Sequence, residues 1–425
     1  MTALDVYLHR AHVGRLQRLE GARLEFAYAP GWVDGGEALS LCLPLREEPF
    51  ADPECRPFFA GLLPEGEFLK AVARALGVSA GNPFSVLEEI GGECAGAVSL
   101  VPEGAKPPFD RSPPPHWLDD AELSRILEEL PMRPLLIGSN GEEEVLRLSL
   151  AGAQNKLPVL VDDARLGITR GRPPSSHIIK KPDLDLPELV VNEAYCLALA
   201  RESGLDAAVA KPIAPDGQEG LLVERYDRWR DEKAEGEVRR IHQEDFCQAL
   251  GFLPEQKYEG ESGPGVAQCA ALLRAHVSAP GPDLLAFLDA LLFNLLIRNS
   301  DGHSKNYSLL LDGSGAPRLA PLYDLLSASV YGGRYGRKMA MKYGGEYRPQ
   351  YIRGRHLDRL AGDLEVSARL VRSRAIDLAE RTVAARAGAR LQLPEAWQER
   401  PLLDEILATV GDAAEGLRRA AAEPT

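Results

Sequence analysis

Hydrophobic and polar positions alternate near the start of the chain, in DVYLHRAHVGRL and ARLEFAYAPGW. This period of two is typical of half-buried antiparallel strands. Helical spacing follows over 58–76 and over 82–91, where Asn82 is the expected N-cap and Pro83 the first helical residue. A closing strand is expected over 97–101. The pattern predicts a small N-terminal domain of mixed α and β structure.

A proline-rich stretch, 103–118, ends this domain, which we place at 1–102. Its five prolines predict a stiff linker or an edge-covering loop. Beyond it, short strands surround one helix that is expected to run from Pro187 to Ser203 and to stop at Gly204. The strands are expected over 145–150, 157–163, 177–181 and 221–228.

After about residue 240 the hydrophobic spacing becomes mostly helical, and 356–421 is rich in Ala, Arg and Leu. The exception is a hairpin over 307–324, in which YSLLLD and RLAPLYD flank the turn GSGAP. This order predicts an α+β fold with the two lobes of a protein kinase. We place the small lobe at 119–230 and the helical large lobe at 231–425.

Charge and cysteine content narrow the class of protein. Lys and Arg number 49 against 63 Asp and Glu, so the net charge is −14 and the whole surface is poorly suited to a polyanion. The most apolar stretch, 284–297, contains Asp289 and Asn294 and is too short to span a bilayer. We expect a cytoplasmic protein without membrane segments, whose thiols are buried and reduced. The cysteines are Cys42, Cys55, Cys94, Cys196, Cys247 and Cys269.

Candidate chemistry is concentrated in NSDGHSKNYSLLL, at 299–311. Asp301 and Asn306 have four residues between them, the D-x-x-x-x-N spacing of kinase catalytic loops. In that spacing the Asp takes the proton of the attacking hydroxyl and the Asn oxygen binds a magnesium ion. The alternative is an ordinary Asp-Gly turn followed by surface polar residues. His303 is interpreted from its spacing as structural.

Asp324 is expected to end the second strand of the hairpin, where kinases carry a second metal ligand. Its neighbours, Tyr323 and Leu325, replace the usual Phe-Gly context, so the glycine is missing. The alternative is an Asp that caps the following helix. Together with the D-x-x-x-x-N spacing, Asp324 favours a metal site.

A lysine at the end of a small-lobe strand can hold nucleotide phosphates. Lys180 and Lys181 compete for this role, because alternation lets only one of them face inward. Glu193, in the following helix, is the natural partner of such a lysine, unless it lies on a solvated face. The loop AGAQNK, at 151–156, has the small residues that let backbone N–H groups approach phosphates, although a plain hairpin turn fits it as well.

Many motifs in one order resemble the HipA family, the serine/threonine kinase toxins of bacterial toxin–antitoxin pairs. The resemblance covers almost the whole chain. It is carried by FFAGLLPEGE, GGECAGAVSLVPE, LSLAGAQNK, HIIK, VERYDR, QEDFCQALG, KYEGESGPG, DGHSKN and YDLLSA. Two departures are Asn155, where relatives often carry an acidic residue or proline, and His242, where proline is expected.

The resemblance implies a role for each site residue. Asp301 would be the catalytic base, Asn306 and Asp324 would bind Mg²⁺, and Lys180 rather than Lys181 would contact ATP. The other residues implied to bind ATP are Ala151, Gly152, Ala153, Gln154, Asn155 and Lys156 over the phosphates, Glu224, Arg225 and Tyr226 at the adenine, and His303 and Lys305 beside Asn306. Ser149 matches a serine whose autophosphorylation shuts the family's kinases off.

The resemblance also implies partners. A small helix-turn-helix antitoxin of the HipB kind would supply the DNA contact that this acidic chain lacks, and the substrate would be a translation protein such as an aminoacyl-tRNA synthetase. Two alternatives stay open. One is a small-molecule kinase of the aminoglycoside or choline type, and the other is a non-enzymatic corepressor that acts through an antitoxin.

Overall fold

The computed structural model describes residues 2–110, 113–132, 135, 155–181, 186, 188–231, 237–311, 317–333, 335 and 337–424. The strands are β1 (Ala3–Leu8), β2 (Ala11–Arg18), β3 (Leu24–Tyr28), β4 (Phe50–Ala51), β5 (Val98–Pro102), β6 (His116–Trp117), β7 (Lys156–Asp162), β8 (Arg165–Ile168), β9 (His177–Lys180), β10 (Ala210–Ile213), β11 (Gly220–Glu224), β12 (Arg228–Asp231), β13 (Glu237–Arg240), β14 (His242–Asp245), β15 (Ser308–Leu311) and β16 (Arg318–Leu319).

The helices are α1 (Pro30–Val33), α2 (Asp52–Gly61), α3 (Gly66–Leu76), α4 (Pro83–Ile90), α5 (Asp120–Glu129), α6 (Leu189–Glu202), α7 (Phe246–Leu250), α8 (Val266–His276), α9 (Pro280–Leu296), α10 (Gly354–Asp363), α11 (Ala368–Leu391), α12 (Glu395–Gln398) and α13 (Pro401–Ala422). None of them, within the described ranges, is long and apolar enough to cross a membrane. All six cysteines are free thiols.

The chain forms two compact units. The first contains Met1–Leu184, Ile213–Pro254 and Leu310–Asp312, and the second contains Asp185–Pro212, Glu255–Leu309 and Gly313–Thr425. The chain therefore passes between the units more than once. The domain boundaries expected from the sequence stay predictions.

The N-terminal part of the first unit is an antiparallel sheet in the order β4-β3-β2-β1-β5. The alternation that predicts β1 places Leu4, Val6 and Leu8 in the core. Phe26 and Phe59 pack there with their ring centroids 5.3 Å apart. The predicted closing strand is confirmed as β5.

The expectation of one helical segment over 58–76 is wrong in detail. The structure has two helices, α2 and α3, separated at 62–65. Pro64 lies in this gap, and a proline both lacks an N–H and restricts the residue before it, so the helix cannot continue through it. The expected start of α4 is confirmed, because Pro83 is its first residue, although Asn82 makes no side-chain cap bond.

A second sheet of the first unit contains the neighbouring strands β11-β9-β7-β8-β6. Helix α5 covers one face with Leu123, Ile126 and Leu127, which pack against residues of β7 and β9. The predicted strand over 221–228 is shorter than expected, because β11 ends at Glu224. The predicted strand over 145–150 lies outside the described residues.

Helices dominate the second unit, as predicted. Helix α11 packs against α6, α9, α10 and α13. Helix α6 is buried along nearly its whole length, and Gly204, with a φ of 78°, follows its C-terminus in the left-handed region that favours glycine. The hairpin is present, although its second strand, β16, covers only two residues.

Buried charges connect the N-terminal sheet to the segment after β11 within the first unit. Arg225 donates to Asp227 Oδ2 over 2.8 Å, and Arg228 donates to Glu93 Oε1 over 3.0 Å. These four side chains are between 2% and 7% exposed. Burial opposes ionisation of Glu93, but the neighbouring arginines outweigh it and hold the pKa of its carboxyl below the usual value. We call Glu93, Arg225, Asp227, Arg228 and the less buried Arg240 the charge cluster.

The turn around Gly96 completes the charge cluster with backbone groups. The Gly96 N–H donates to Asp227 Oδ2 over 2.7 Å, and its carbonyl oxygen accepts from Arg228 at 3.1 Å and from Arg240 at 2.9 Å. Gly96 has a φ of 68°, and a Cβ there would lie 2.6 Å from the Gln243 nitrogen. Only glycine fits this close approach.

His242 lies beside the charge cluster. It is one of the two departures from the HipA family pattern, and its side chain is buried. Its side chain is 1% exposed, and Nε2 lies 2.9 Å from the Leu39 carbonyl oxygen, so Nε2 carries the proton and donates. Burial lowers the pKa of His242 to about 4. The folded chain therefore resists protonation of this ring.

We predict that acid weakens the fold through His242. Its folded pKa lies below the unfolded value, so its contribution is complete above about pH 6.5 and is lost as the pH falls through about 4. Between about pH 7 and pH 5, the unfolding free energy of the wild type should fall by roughly 1–2 kcal/mol more than that of His242→Gln. Urea titrations at both pH values measure this difference.

The same comparison controls for Glu244, which is present in both proteins. Burial raises the pKa of Glu244 to about 7, so its contribution is complete below about pH 4.5 and decreases as the pH rises through about 7. This trend is opposite to that of His242. Equal pH slopes for the wild type and His242→Gln would contradict the prediction.

Candidate active site

The loop with the D-x-x-x-x-N spacing begins where the buried helix α9 ends in the second unit. Helix α9 stops at Leu296, and Arg298, with a φ of 55°, turns the chain out of it. A 3₁₀ turn over Ser304–Asn306 then leads into β15. The polar residues of the loop are thus held between two apolar elements.

Two buried asparagine side chains form a series of hydrogen bonds that holds this loop. Asn294 Nδ2 donates to the Tyr307 hydroxyl over 2.8 Å, and Asn299 Nδ2 donates to Asn294 Oδ1 over 2.9 Å. Asn299 Oδ1 accepts the backbone N–H of Asp301 at 3.1 Å. Asn294, Asn299 and Tyr307 are each at most 3% exposed. Because each of these polar groups has a hydrogen-bond partner, its burial does not destabilise the fold. The series of bonds fixes the position of the Asp301 backbone N–H.

The structure brings Asp301 and Asn306 together. Asn306 Nδ2 donates to the backbone carbonyl oxygen of Asp301 over 2.9 Å. This bond orients the amide, so that its oxygen points away from the Asp301 carbonyl. The Asp301 side chain is 49% exposed, and its Oδ1 accepts a hydrogen bond from the Tyr258 hydroxyl. One carboxylate oxygen is therefore positioned by the protein, while the group as a whole stays accessible.

His303 and Lys305, also predicted at this site, are both buried. The His303 ring meets the Tyr258 ring edge-on at 5.1 Å, and His303 Nε2 lies 3.9 Å from Asp301 Oδ1. A structural role for His303, as interpreted from its spacing, is compatible with this packing and stays a prediction. Whether it also lines an ATP site, as the resemblance implies, stays a prediction.

Asp324 follows the hairpin but does not end its second strand, so that expectation is wrong. The strand β16 ends at Leu319, and Asp324 lies in the next loop with a φ of 52°. Tyr323 positions this loop, because its hydroxyl donates to the Lys305 carbonyl oxygen over 2.7 Å and lies 2.7 Å from Ser308 Oγ. Tyr323 thus links Asp324 to the loop of Asp301.

The donor set suits magnesium bound with a nucleotide. Asn306 and Asp324 offer one amide oxygen and one carboxylate, and Mg²⁺ is usually held by one or two carboxylates together with substrate phosphates and waters. No cluster of three or more His, Cys, Asp or Glu side chains that could hold a metal occurs among the described residues. Asn306 and Asp324 therefore fit a metal that arrives with phosphate.

The first unit carries the predicted phosphate-binding lysines. Lys156 of β7 and Lys180 of β9 are direct cross-strand partners, so their side chains lie on the same face, and each is 6% exposed. Lys181 faces the other way, and its Nζ donates to Gln218 Oε1 over 3.2 Å and to the Glu219 carbonyl oxygen over 2.9 Å. Of the two competing lysines, Lys180 is the buried one.

The family resemblance implies three residues at the adenine of ATP. Of these, Glu224 is exposed and Arg225 is buried. The Arg225 side chain belongs to the charge cluster, and its backbone N–H donates to the Ser176 carbonyl oxygen over 3.0 Å. The Tyr226 hydroxyl donates to Gln243 Oε1 over 2.5 Å. The side chain and the backbone N–H of Arg225 are therefore bonded within the protein, and its carbonyl oxygen accepts the Arg228 N–H at 3.1 Å.

Several predicted residues cannot be compared with the structure. Ser149 and the loop residues Ala151, Gly152, Ala153 and Gln154 lie outside the described residues. Asn155 is described, and its carbonyl oxygen accepts the Lys181 N–H at 3.3 Å. Glu193 is 1% exposed in α6, which excludes a solvated face, while its pairing with Lys180 stays a prediction.

Sequence reasoning missed the residues that position the loop. Tyr258 lies in KYEGESGPG, which carries part of the family resemblance, but nothing in that stretch indicates a bond to Asp301. Asn294 is visible as a polar residue inside the most apolar stretch of the chain. That placement was a usable signal, because a buried amide needs a partner.

We predict that Asn299→Ala destabilises the protein by about 2–3 kcal/mol, because it deletes two buried hydrogen bonds and leaves Asn294 Oδ1 unpaired. Urea unfolding measures the change. The control is Gln350→Ala, at an exposed position of the same unit, which should change stability by less than about 0.5 kcal/mol. The double variant with Asn294→Ala should be less destabilised than the sum of the single variants. Additive losses would contradict a shared network.

Comparisons with known proteins find relatives over most of the chain. A family model described as the HipA N-terminal domain matches residues 4–101, and one described as the HipA-like C-terminal domain matches residues 148–387. The protein Y4mE of Sinorhizobium fredii is 44% identical over 389 residues, which are 90% of each chain. The serine/threonine-protein kinase toxin HipA of Shewanella oneidensis is 32% identical over 407 residues, which are 92% of this chain and 90% of that one.

A solved structure extends the similarity to the fold. The complex of HipA, HipB and operator DNA from Shewanella oneidensis MR-1 contains a chain that matches with a TM-score of 0.83 and 29% identity, over 97% of this chain and 96% of that one. The predicted α+β, two-lobed kinase-like fold and the resemblance to HipA are thereby confirmed. The chain belongs to the HipA family of serine/threonine-protein kinase toxins.

Proposed function

We propose that the chain transfers the γ-phosphoryl group of ATP to a serine or threonine of a protein that works in translation. The observation that carries this proposal is the loop geometry around Asp301. Its carboxylate is half exposed and oriented by Tyr258, while Asn306 is tied to its backbone carbonyl oxygen. One short loop thus offers a proton acceptor and a metal ligand side by side, as phosphoryl transfer requires.

Asp301 would act as the catalytic base. Its carboxylate would take the proton of the substrate hydroxyl as that oxygen attacks the phosphorus atom. The hydrogen bond from Tyr258 and the buried amides beneath the loop reduce the motion of this carboxylate. A base that is already oriented lowers the activation free energy by several kcal/mol, because the orientation need not be reached during the reaction.

Asn306 and Asp324 would hold Mg²⁺, which neutralises charge on the transferred phosphate. The Asn306 amide is oriented by its bond to the Asp301 carbonyl oxygen, which leaves its own oxygen for a cation. Asp324 is held near the same loop through Tyr323. The backbone of Asp324 is left-handed, a conformation that Asp and Asn tolerate better than most residues.

Lys156 and Lys180 would hold the ATP phosphates. They are cross-strand partners on one face of the sheet, and both are buried. Two ammonium groups on the same face would bind neighbouring oxygens of one polyphosphate. We infer that the loop over 151–156 covers the phosphates and that backbone groups of Glu224–Tyr226 hold the adenine.

Ser149 would be the site of autophosphorylation that limits the activity. A phosphate there would add up to about two negative charges next to the loop that is built to hold the phosphates of ATP. The repulsion would disfavour binding of ATP. This makes the kinase self-limiting.

The partner would be a HipB-like helix-turn-helix antitoxin. The matched HipA chain was solved together with HipB and operator DNA. The net charge of −14 disfavours direct binding of this chain to DNA, so that contact would pass through the antitoxin. An aminoacyl-tRNA synthetase in the cytoplasm is the expected kind of substrate.

We predict phosphate on Ser149 after incubation of the wild type with Mg²⁺ and ATP, and none in Asp301→Asn. The substitution keeps the shape of the side chain but removes its basicity. Mass spectrometry with peptide mapping over 145–160 measures the product. Asp404→Asn, at an exposed position of α13, is the matched control and should behave as the wild type.

If ATP binds but no residue becomes phosphorylated, autophosphorylation is wrong. Transfer to a small alcohol instead of a protein would then favour a small-molecule kinase. Phosphorylation of Ser149 in Asp301→Asn at the wild-type rate would contradict the role of Asp301.

We also predict that Asp324→Asn raises the Mg²⁺ concentration needed for half-maximal phosphorylation by at least about tenfold, because a carboxylate ligand is lost. Asparagine tolerates the left-handed backbone at this position, so the fold should be preserved. The measurement is a Mg²⁺ titration of the phosphorylation rate, with thermal unfolding as the check on folding. An unchanged Mg²⁺ requirement would exclude Asp324 as a ligand.

A further inference from the structure

One segment of the second unit is strongly basic although the chain is acidic. Residues 337–359 contain seven Lys or Arg and two Asp or Glu, a difference of +5, while the whole chain carries −14. The seven cations are Arg337, Lys338, Lys342, Arg348, Arg353, Arg355 and Arg359. Three of these cations, Arg348, Arg353 and Arg355, lie together on the surface with the carboxylates of Glu346 and Glu423.

The basic segment lines an open groove of about 570 Å³. Arg348, Arg353 and Arg355 contribute their side chains, and Tyr351 forms part of the wall with 47% of its surface exposed. The Arg348 guanidinium lies 4.4 Å from the centre of the Tyr351 ring. We call this the arginine groove. Its walls offer planar cations, which bind carboxylates and phosphates through two parallel hydrogen bonds.

The arginine groove already holds one carboxylate of the chain itself. Glu423 accepts the backbone N–H of Gly354, at the start of α10, over 2.7 Å, and its other oxygen lies 4.0 Å from Arg353 Nε. A helix N-terminus together with arginines favours an anion. Glu423 thus shows which chemical group the groove accepts.

Other arginines next to Glu423 remain able to bind an anion. Arg355 is exposed and makes no hydrogen bond or ion pair within the described part of the chain. Arg348 is paired with Glu346 over 2.9 and 3.0 Å, and the Arg348 side chain is 50% exposed while that of Glu346 is 16% exposed. The positive field is also felt by His356, whose pKa is lowered by burial and by the neighbouring arginines, Arg355 foremost.

The arginine groove is connected to the loop of Asp301 through short, direct contacts in the same unit. The Lys342 N–H donates to Glu259 over 2.6 Å, and the residue before Glu259, Tyr258, donates to the Asp301 carboxylate. The Tyr343 N–H donates to the Glu346 carbonyl oxygen over 2.9 Å, which brings the chain to the edge of the groove. Hydrogen bonds between neighbouring segments thus lead from Glu346, at the groove, to the Asp301 carboxylate.

We propose that the arginine groove binds an acidic segment of the protein substrate and thereby selects which serine or threonine is phosphorylated. This rests on the proposed phosphotransfer to a protein. A kinase that acts on a polypeptide gains specificity from contacts remote from the reacting hydroxyl. Charge complementarity, the carboxylate already bound and the connection to Asp301 favour an acidic peptide as the occupant.

Binding is tested with two fluorescein-labelled peptides, a serine flanked by glutamates and the same serine flanked by glutamines. The wild type should prefer the glutamate peptide, and the preference should weaken with salt. Arg355→Glu should reduce that preference by about five- to tenfold, while Arg355→Lys keeps part of it. Arg10→Glu is the matched control, because Arg10 is an exposed arginine in the β1–β2 turn, and it should leave the preference unchanged.

Phosphorylation of the same peptides with Mg²⁺ and ATP separates the two proposals. A selectivity in kcat/KM that follows the binding preference and is lost in Arg355→Glu supports both, and an unchanged rate on the glutamine peptide shows that this variant remains active. Selective binding without phosphorylation of either peptide supports the acidic-segment site but overturns the proposed phosphotransfer.

Other outcomes overturn the arginine groove as a peptide site. Equal binding of the two peptides by the wild type, or a preference that Arg355→Glu retains, would do so. Binding of poly-uridylate that depends on Arg355, without discrimination between the peptides, would assign the groove to a nucleic acid instead.

Discussion

Charges buried away from water hold the first unit together. Glu93 comes from the N-terminal region, and Arg225, Asp227 and Arg228 come from the segment after β11. A buried ion without its partner costs several kcal/mol, so each of these side chains is tolerated only when the others are present. The N-terminal sheet and the segment after β11 therefore depend on each other. One consequence reaches the proposed nucleotide site, where the Arg225 side chain is unavailable for binding.

Each of the two units buries polar side chains beside or among the residues predicted to be functional. Beneath Asp301, the buried amides of Asn294 and Asn299 are bonded within the protein, so the loop is ordered before any ligand arrives. In the first unit, Lys156 of β7 and Lys180 of β9 are buried neighbours on one face of the sheet. A buried polar or charged group is tolerated only where the fold supplies its partners, so both arrangements depend on contacts that folding makes.

Local structure was predictable where a short stretch of sequence determines its own conformation. The left-handed Gly204 after α6 and the strand that ends at Lys180 are of this kind. Prediction failed where distant partners compete with local preference. The strand expected over 221–228 ends at Glu224, because the next residues turn inward to meet Glu93 and the turn of Gly96. No propensity of the residues in 225–228 reveals that partner.

By itself, the sequence determined the family, the α+β kinase-like fold, and the D-x-x-x-x-N spacing that brings Asn306 against Asp301 within one loop. The tertiary structure alone decided that Lys180 rather than Lys181 is buried and that Tyr258 orients the Asp301 carboxylate. The physical reason is the separation along the chain between the groups that interact. A turn is set by neighbours along the chain, whereas the cost of burying a polar or charged group depends on partners that only folding brings within hydrogen-bonding distance.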